Sequence, residues 1–282
     1  MSSFAVLSHI QVAPILRARR VGESSAATSL DLGLTTVEVS LEPGRVAFPD
    51  GQWLAWEDLE EIGRSESVCF LVEENGAVKI QRFSDFLGRF YSLMPTEGAP
   101  TLLVSGIPMH RIKGTDPHRD TLAKVRTIAP ISGHVLDTCT GLGYTAIEAA
   151  RTAERVVTIE LDPDVLAVAR LNPWSRALFE NPRIQQIVGD SFEEIQDFED
   201  ESFSRILHDP PTFSLAGELY SGKFYRHLFR VLRPKGRMFH YIGDAGSRSG
   251  RNVTKGVVRR LQEAGFKRIV RKPEAFGVVA YK

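Results

Sequence analysis

The stretch GHVLDTCTGLGYTAIEAARTAERVVTIELD, residues 133–162, decides how this chain is read. An apolar run, Val135 and Leu136, ends on Asp137, and Gly141 and Gly143 come next. A helix-forming segment from Tyr144 to Arg155 leads into a second apolar run, Val156 to Ile159, which ends on Glu160, 23 residues after Asp137. Strand, glycine turn, helix and strand make a βαβ unit. An acid about 20 residues past the glycine turn of such a unit is placed to accept both hydroxyls of an adenosine ribose. The glycines let the backbone approach a ligand with no Cβ in the way.

Composition sets the limits around this unit. The 282 residues suffice for one large domain or two modest ones. With 43% apolar and 25% charged residues the chain has the make-up of an ordinary soluble globular protein. No uncharged apolar run approaches the roughly 18 residues of a membrane span. Phe4 to Leu7 precede Arg17, Arg19 and Arg20, which reverses the order of a secretory signal, so a cytoplasmic protein without a membrane partner is expected. Cys69 and Cys139 lie far apart and the seven histidines are scattered, so neither a disulfide framework nor a metal site is expected. A net charge of zero conceals a strong polarity. Residues 221–282 carry 16 Lys/Arg against 3 Asp/Glu, and residues 137–220 carry 6 against 16. Such polarity steers an anionic partner to one side of a molecule, or else marks solvated helix faces of one sign.

Before the βαβ unit, residues 1–105 read as a small β-rich N-terminal domain, with residues 106–282 forming the nucleotide-binding domain. Val37 and Val39 alternate with polar neighbours, and Pro49-Asp50-Gly51 separates two apolar runs as a hairpin turn does. A second hairpin is expected around Glu73-Glu74-Asn75-Gly76, and a short helix between the two hairpins at 57–63. Phe83, Phe86, Leu87, Phe90 and Tyr91 recur at helical spacing and read as a core-facing stripe. Asp116 before Pro117 starts a helix running to about Ile128, which enters the first nucleotide-domain strand and is expected beside the cofactor, with His110 nearby. After Glu160 a helix leads to a third strand, Ile184 to Val188, ending at Asp190 and Ser191. A fourth strand, Ser204 to Leu207, ends at Asp209-Pro210-Pro211-Thr212-Phe213. Beyond a helix at 220–232, Pro234-Lys235-Gly236 reads as a turn before a fifth strand, Arg237 to Ile242. A glycine-rich loop then leads into a helix at 253–264, and a terminal hairpin closes the chain.

Taken in order, DTCTGLG, TIELD, VGDSF, HDPPTF and RPKGRMFHYIG resemble the motifs of a class I S-adenosylmethionine-dependent methyltransferase over residues 116–282. Ala146 stands where a dinucleotide fingerprint has its third glycine, which favours this family over a nicotinamide enzyme. The whole chain looks most like predicted archaeal-type methyltransferases with a small N-terminal domain. The resemblance implies an α/β, Rossmann-like, seven-stranded sheet with helices on both faces and a terminal antiparallel hairpin, and S-adenosylmethionine as cofactor. It places Asp137, Thr138, Gly141 and Gly143 around the methionine part, Glu160 and Leu161 at the ribose, and Asp190 and Ser191 at the adenine edge.

The fourth strand tip resembles the (Asn/Asp/Ser)-Pro-Pro-aromatic motif of enzymes that methylate amino groups. In that family the acidic or amide side chain and the first proline's carbonyl accept hydrogen bonds from the target NH2, which gives Asp209 and Pro210 the catalytic places. Thr212 stands where the aromatic residue belongs, and Phe213 comes one position late. Arg248 and Arg251, on the loop after the fifth strand, suit a phosphate or carboxylate. With the basic C-terminal third they favour an anionic acceptor such as RNA over a protein or small molecule. Two other readings stand beside N-methylation: a polyamine aminopropyltransferase of the spermidine synthase type using decarboxylated S-adenosylmethionine, and a cofactor-holding module without catalysis. The oligomeric state is not legible in the sequence.

Overall fold

The computed structural model describes residues 4–74, 76–213, 215–243 and 248–282, with 248–252 described as backbone only. The chain divides into two compact units, one of residues 1–118 and 164–176, the other of residues 119–163 and 177–282.

The first unit holds β1 (Val6–Leu7), α1 (His9–Arg20), β2 (Ser25–Thr28), β3 (Val37–Leu41), β4 (Arg45–Ala47), β5 (Trp53–Ala55) and α2 (Trp56–Arg64). These are followed by β6 (Phe70–Glu73), β7 (Gly76–Lys79), β8 (Gln81–Ser84), β9 (Arg89–Met94), β10 (Thr101–Val104) and β11 (Ile107–Pro108). They form three small sheets of strand order β1-β6-β7, β2-β3-β4-β5 and β11-β10-β9-β8. A core of Val12, Ile15, Val39, Leu54, Leu59, Ile62 and Phe70 binds α1 and α2 to the strands. Both hairpins expected from turn chemistry are present, β4 with β5 and β6 with β7, although Asn75 in the second turn lies outside the described residues.

One expectation for this unit fails. The aromatic stripe is a hairpin of β8 and β9, in which Phe83 faces Phe90 across the ladder. Asp85 and Gly88 supply turn chemistry between them, and the Ser84 hydroxyl accepts from the Leu87 amide at 3.3 Å, so the helix never starts. Phe83, Phe86 and Phe90 are exposed at 59%, 66% and 42%, and of the five only Tyr91 is buried. Helix α1 stands where no element was read from the sequence, with Pro14 inside it. A capping box of Ser8 and Gln11 starts it nevertheless, and Val12, Ile15 and Ala18 bury its inner face.

The second unit follows from α3 (Pro117–Arg126), β12 (His134–Asp137), α4 (Tyr144–Ala149) and β13 (Arg155–Glu160). After α5 (Pro163–Arg170), most of which groups with the first unit, come α6 (Arg176–Glu180), β14 (Ile184–Val188), α7 (Ser191–Glu194), β15 (Phe203–His208) and α8 (Gly222–Val231). The chain ends with β16 (Leu232–Tyr241), α9 (Arg248–Glu263), β17 (Arg268–Lys272) and β18 (Gly277–Tyr281). One seven-stranded sheet runs β14-β13-β12-β15-β16-β18-β17, parallel except that β18 is antiparallel to both its neighbours. This is the class I methyltransferase sheet. Helix α8 shows how sequence places a layer on it: Ser221 caps its start by accepting from the Phe224 amide, and Phe224, Tyr225, Leu228 and Val231 recur at helical spacing and are fully buried. Truncating Leu228 there would cost about 2–5 kcal/mol.

Two boundaries differ from expectation. The Pro234-Lys235-Gly236 segment belongs to β16, where Lys235 takes a φ of +63° and the register with β15 shifts, so it makes an irregularity in the strand and not a separate turn. Helix α9 begins at Arg248, inside the segment read as loop, while residues 244–247 lie outside the described residues. Among the described residues no helix is long and apolar enough to cross a membrane, and no cluster of three or more metal-ligating side chains occurs.

Candidate active site

Strand order reverses at β12, which lies between β13 and β15, and open parallel sheets bind ligands outside the strand ends at such a point. Asp137 ends β12 and is fully buried. Its Oδ2 accepts from Thr158 Oγ1 at 3.0 Å and Thr145 Oγ1 at 3.1 Å. Its Oδ1 is buried without a hydrogen-bond partner among the described residues. Burial raises the Asp137 pKa to about 8 against the pull of the two hydroxyls, and the charges of Asp209 and Glu160 add to the rise.

Glu160 ends β13 and folds over the glycine turn. Its Oε2 accepts from the Gly141 amide at 2.8 Å and its Oε1 from the Asp162 amide at 3.2 Å. Burial lifts its pKa to about 7, opposed by the Gly141 and Asp162 amides. Gly141 (φ +52°) and Gly143 (φ +78°) are both left-handed, for different reasons. A Cβ on Gly141 would meet nothing, so conformation alone asks for glycine there, whereas one on Gly143 would come within 2.6 Å of Leu178.

The other expected cofactor residues hold this turn in place. Thr138 donates its amide to Leu207 O at 3.0 Å, and the Ser191 hydroxyl donates to Thr138 O. Asp190 caps α7 by accepting from the Phe192 amide at 2.8 Å, and Leu161 is 38% exposed. Beneath them lie two buried histidines with ring centroids 4.3 Å apart, His208 and His240. His208 Nδ1 is 2.7 Å from Thr138 Oγ1 and its Nε2 is 2.9 Å from Leu219 O, so the ring bridges the tips of β12 and β15. Nε2 therefore carries the proton and Thr138 donates to Nδ1. Burial pushes the His208 pKa down to about 3 and also lowers that of His240, which keeps both rings neutral.

At the tip of β15, Pro210 is buried, and Pro211 O accepts from the Tyr220 hydroxyl at 3.0 Å, which fixes the proline turn. Phe213 is 55% exposed and meets Tyr220 edge-on at 5.6 Å. Asp209 is gripped by a residue that sequence reasoning missed. Lys124 Nζ donates to Asp209 Oδ2 at 2.6 Å and pairs with Asp120 Oδ2 at 2.8 Å, 4.9 Å above the Tyr241 ring. Lys124 and Asp120 are 1% and 0% exposed. Burial draws the lysine pKa down, but the two carboxylates outweigh it and leave it above its ordinary value. Asp120 and Lys124 were visible as an i, i+4 pair on the helix entering β12. Nothing in the pattern separated them from a solvated surface pair.

His110 belongs to the first unit, where its Nδ1 lies 3.0 Å from Thr101 Oγ1. Arg248 and Arg251 sit in the first turns of α9, and their side chains lie outside the described residues. Several cations of the basic C-terminal third are occupied within the fold. Arg230 donates to Phe198 O, Ile195 O and Gln196 O, Arg233 to Glu201 O, Arg260 to Tyr220 O, and Lys282 to Phe229 O. They tie backbone carbonyls together.

A methyltransferase-domain family model matches residues 135–236, from β12 to β16. An uncharacterised protein of Methanocaldococcus jannaschii is 42% identical over 260 residues, covering 90% of this chain and 88% of that protein. The polyamine aminopropyltransferase of Thermococcus onnurineus is 32% identical over 161 residues, covering 55% of this chain and 56% of the relative. A solved spermidine synthase in complex with the transition-state analogue AdoDATO shares the fold with a TM-score of 0.59 at 19% identity, covering 74% of this chain and 77% of that one. With motif order, sheet order and these likenesses in agreement, the chain belongs to the class I S-adenosylmethionine-dependent methyltransferase superfamily, in a family shared with the Methanocaldococcus jannaschii protein.

Proposed function

We propose that the protein transfers a methyl group from S-adenosylmethionine to an amine nitrogen. The observation that carries this reading is the juxtaposition, at the switch point of one sheet, of two cation-seeking carboxylates, Asp137 and Glu160, with a charged one, Asp209, on its proline turn. The buried and unpartnered Oδ1 of Asp137 is an acceptor suited to the cofactor's ammonium group, and the Glu160 carboxylate suits its ribose hydroxyls. Bound there, the cofactor supplies a sulfonium-activated carbon open to in-line displacement by an amine lone pair. Asp209 accepts an N–H of the amine, aims the lone pair and offsets the positive charge that grows on nitrogen. The amine's surplus proton leaves to water.

RNA as the acceptor draws no support from Arg230, Arg233 and Arg260, which bond carbonyls of their own backbone. A small cationic amine fits the acidic strand tips better. One observation favours a second reading, aminopropyl transfer from the decarboxylated cofactor. The surplus of buried carboxylates suits a donor that has lost its own carboxylate, and several relatives are aminopropyltransferases.

Calorimetric titration with S-adenosylmethionine and its decarboxylated analogue, followed by labelled transfer to a panel of primary amines and polyamines, tests this. Tighter binding of the intact cofactor, by about tenfold or more, with labelled methyl on an amine is the expected result. Preference for the decarboxylated form with a lengthened polyamine as product would establish the second reading. Binding without turnover of either donor would leave a cofactor-holding module.

A further inference from the structure

Asp209 is held by a buried ammonium whose cage comes from three elements of the fold: Asp120 one turn back on α3, Asp209 after β15, and the face of Tyr241 at the end of β16. We propose that Lys124 is the positioning residue of this site, keeping the Asp209 carboxylate charged and in one orientation so that it serves the incoming amine as a hydrogen-bond acceptor and not as a proton-taking base. This rests on the reading of the protein as an N-alkyltransferase.

Three observations carry the inference. First, an ammonium removed from water is costly unless it is paired, and Lys124 has two carboxylates within 2.8 Å. Second, a buried carboxylate, Asp120, and a partly buried one, Asp209, meet around one point and repel, and a cation between them favours the charged form of both. Lys124 is the cation that lets Asp120 and Asp209 both stay ionised. Third, Lys124 and Asp209 are 85 residues apart in sequence, so the bond ties the helix preceding β12 to the catalytic turn after β15. The fixed Nζ sets the angle at which that carboxylate stands.

Three further titratable groups that act on Asp209 bring no positive charge. Asp137 and Cys139 are acids that face it, and burial raises the pKa of both. Tyr220 is likewise held above its ordinary range, with burial as the main cause, and Tyr241 presents its ring to Lys124. Lys124, by contrast, brings positive charge to Asp209. In the transfer step, nitrogen gains a bond to carbon as the carbon–sulfur bond breaks, and its electron pair stays on sulfur. The N–H proton departs to water, because a carboxylate bound to an ammonium is a poor base. The rate then follows the ionisation of the free amine.

Two measurements on the full chain test this. The first is independent of activity: carboxyl carbon-13 NMR of aspartate-labelled protein, with the Asp209 signal assigned through Asp209→Asn. In the wild type that signal is expected to stay flat from about pH 5 to about pH 8, and in Lys124→Met to titrate inside that window. Superimposable titrations overturn the proposal. Should Lys124→Met not fold, Asp120→Asn serves, since Lys124 keeps Asp209 there. A flat signal is expected, and a titrating one overturns the proposal. The second is transfer to a primary amine. Lys124→Met is expected to lower kcat about 100-fold with cofactor affinity within about threefold, and to add an acid limb to the pH profile. In Lys124→Ala, added methylammonium should restore at least about tenfold of the rate by occupying the vacated cage, and Lys124→Arg should keep the wild-type profile. A wild-type pH profile in Lys124→Met overturns the proposal. A wild type that alkylates no amine defeats the N-alkyltransferase reading, while the NMR titration still decides the role of Lys124.

Discussion

Two groups of strand tips in one sheet treat their carboxylates in opposite ways. At β12 and β13, Asp137 and Glu160 meet hydroxyls and amides but no cation among the described residues, and burial raises their pKa values to about 8 and about 7. At β15, Asp209 carries its counter-ion permanently in Lys124. Neutral donors stabilise a buried carboxylate only in part, whereas an ammonium at hydrogen-bond distance does so fully. On the proposed reading the tips do different work: Asp137 takes the cofactor's ammonium and Glu160 its ribose hydroxyls, while Asp209 presents a fixed charge to the amine.

The sharpest way to break this comparison is Asp209→Asn. Transfer is expected to fall by about a thousandfold while cofactor affinity, measured calorimetrically, changes by less than about threefold. Comparable loss of both would mean that the tips do not divide their labour. Next in size is Asp137→Asn, which removes the charge that faces the cofactor's ammonium. Its affinity for the cofactor should fall about 10- to 100-fold, with turnover at saturating cofactor less affected.

Protonation sharpens the same contrast. Asp137 and Glu160 bind protons in the folded state up to about pH 8 and about pH 7, whereas unfolded carboxylates release theirs near pH 4. Between those limits the native state holds more protons than the unfolded one. Stability without ligand should therefore fall as pH rises from about 4 to about 8. A cationic ligand favours the ionised carboxylates, so its affinity should rise over the upper part of that range and its binding should release protons. Calorimetry in buffers of different ionisation enthalpy reads that release directly. Zero release at about pH 6 would show that the first pair is already charged.

The smallest effect expected is that of Arg230→Ala. This guanidinium holds three carbonyls together with Asp200, so its loss should cost about 1–3 kcal/mol and lower the melting temperature by a few degrees. Cofactor affinity and acceptor choice should stay unchanged, which would separate the structural cations of the C-terminal third from the acids of the site.

Much of the second unit was legible because its signals are local. Each strand end carries its own punctuation: Asp137 before a glycine turn, Glu160 after an apolar run, Asp190 capping a helix, Asp209 before two prolines. The aromatic hairpin at 81–94 shows the opposite case, since helical spacing was present and the turn residues Asp85 and Gly88 overrode it. The cations of the C-terminal third show a related limit of local signals. Charge along the chain records how many cations there are, and the tertiary fold decides whether each one meets a solvent-borne ligand or a carbonyl of its own backbone.

By itself the sequence determined most of the strands and helices of the second unit in chain order, and the three acids at their tips, because periodicity, turn chemistry and capping act within a few residues. Only the tertiary structure decided that Lys124 reaches Asp209 across 85 residues, that Asp137 is buried with one oxygen unpartnered, and that the guanidinium of Arg230 turns inward. Those facts depend on which surfaces lose water when distant elements pack, and burial sets the strength of a charge's interactions.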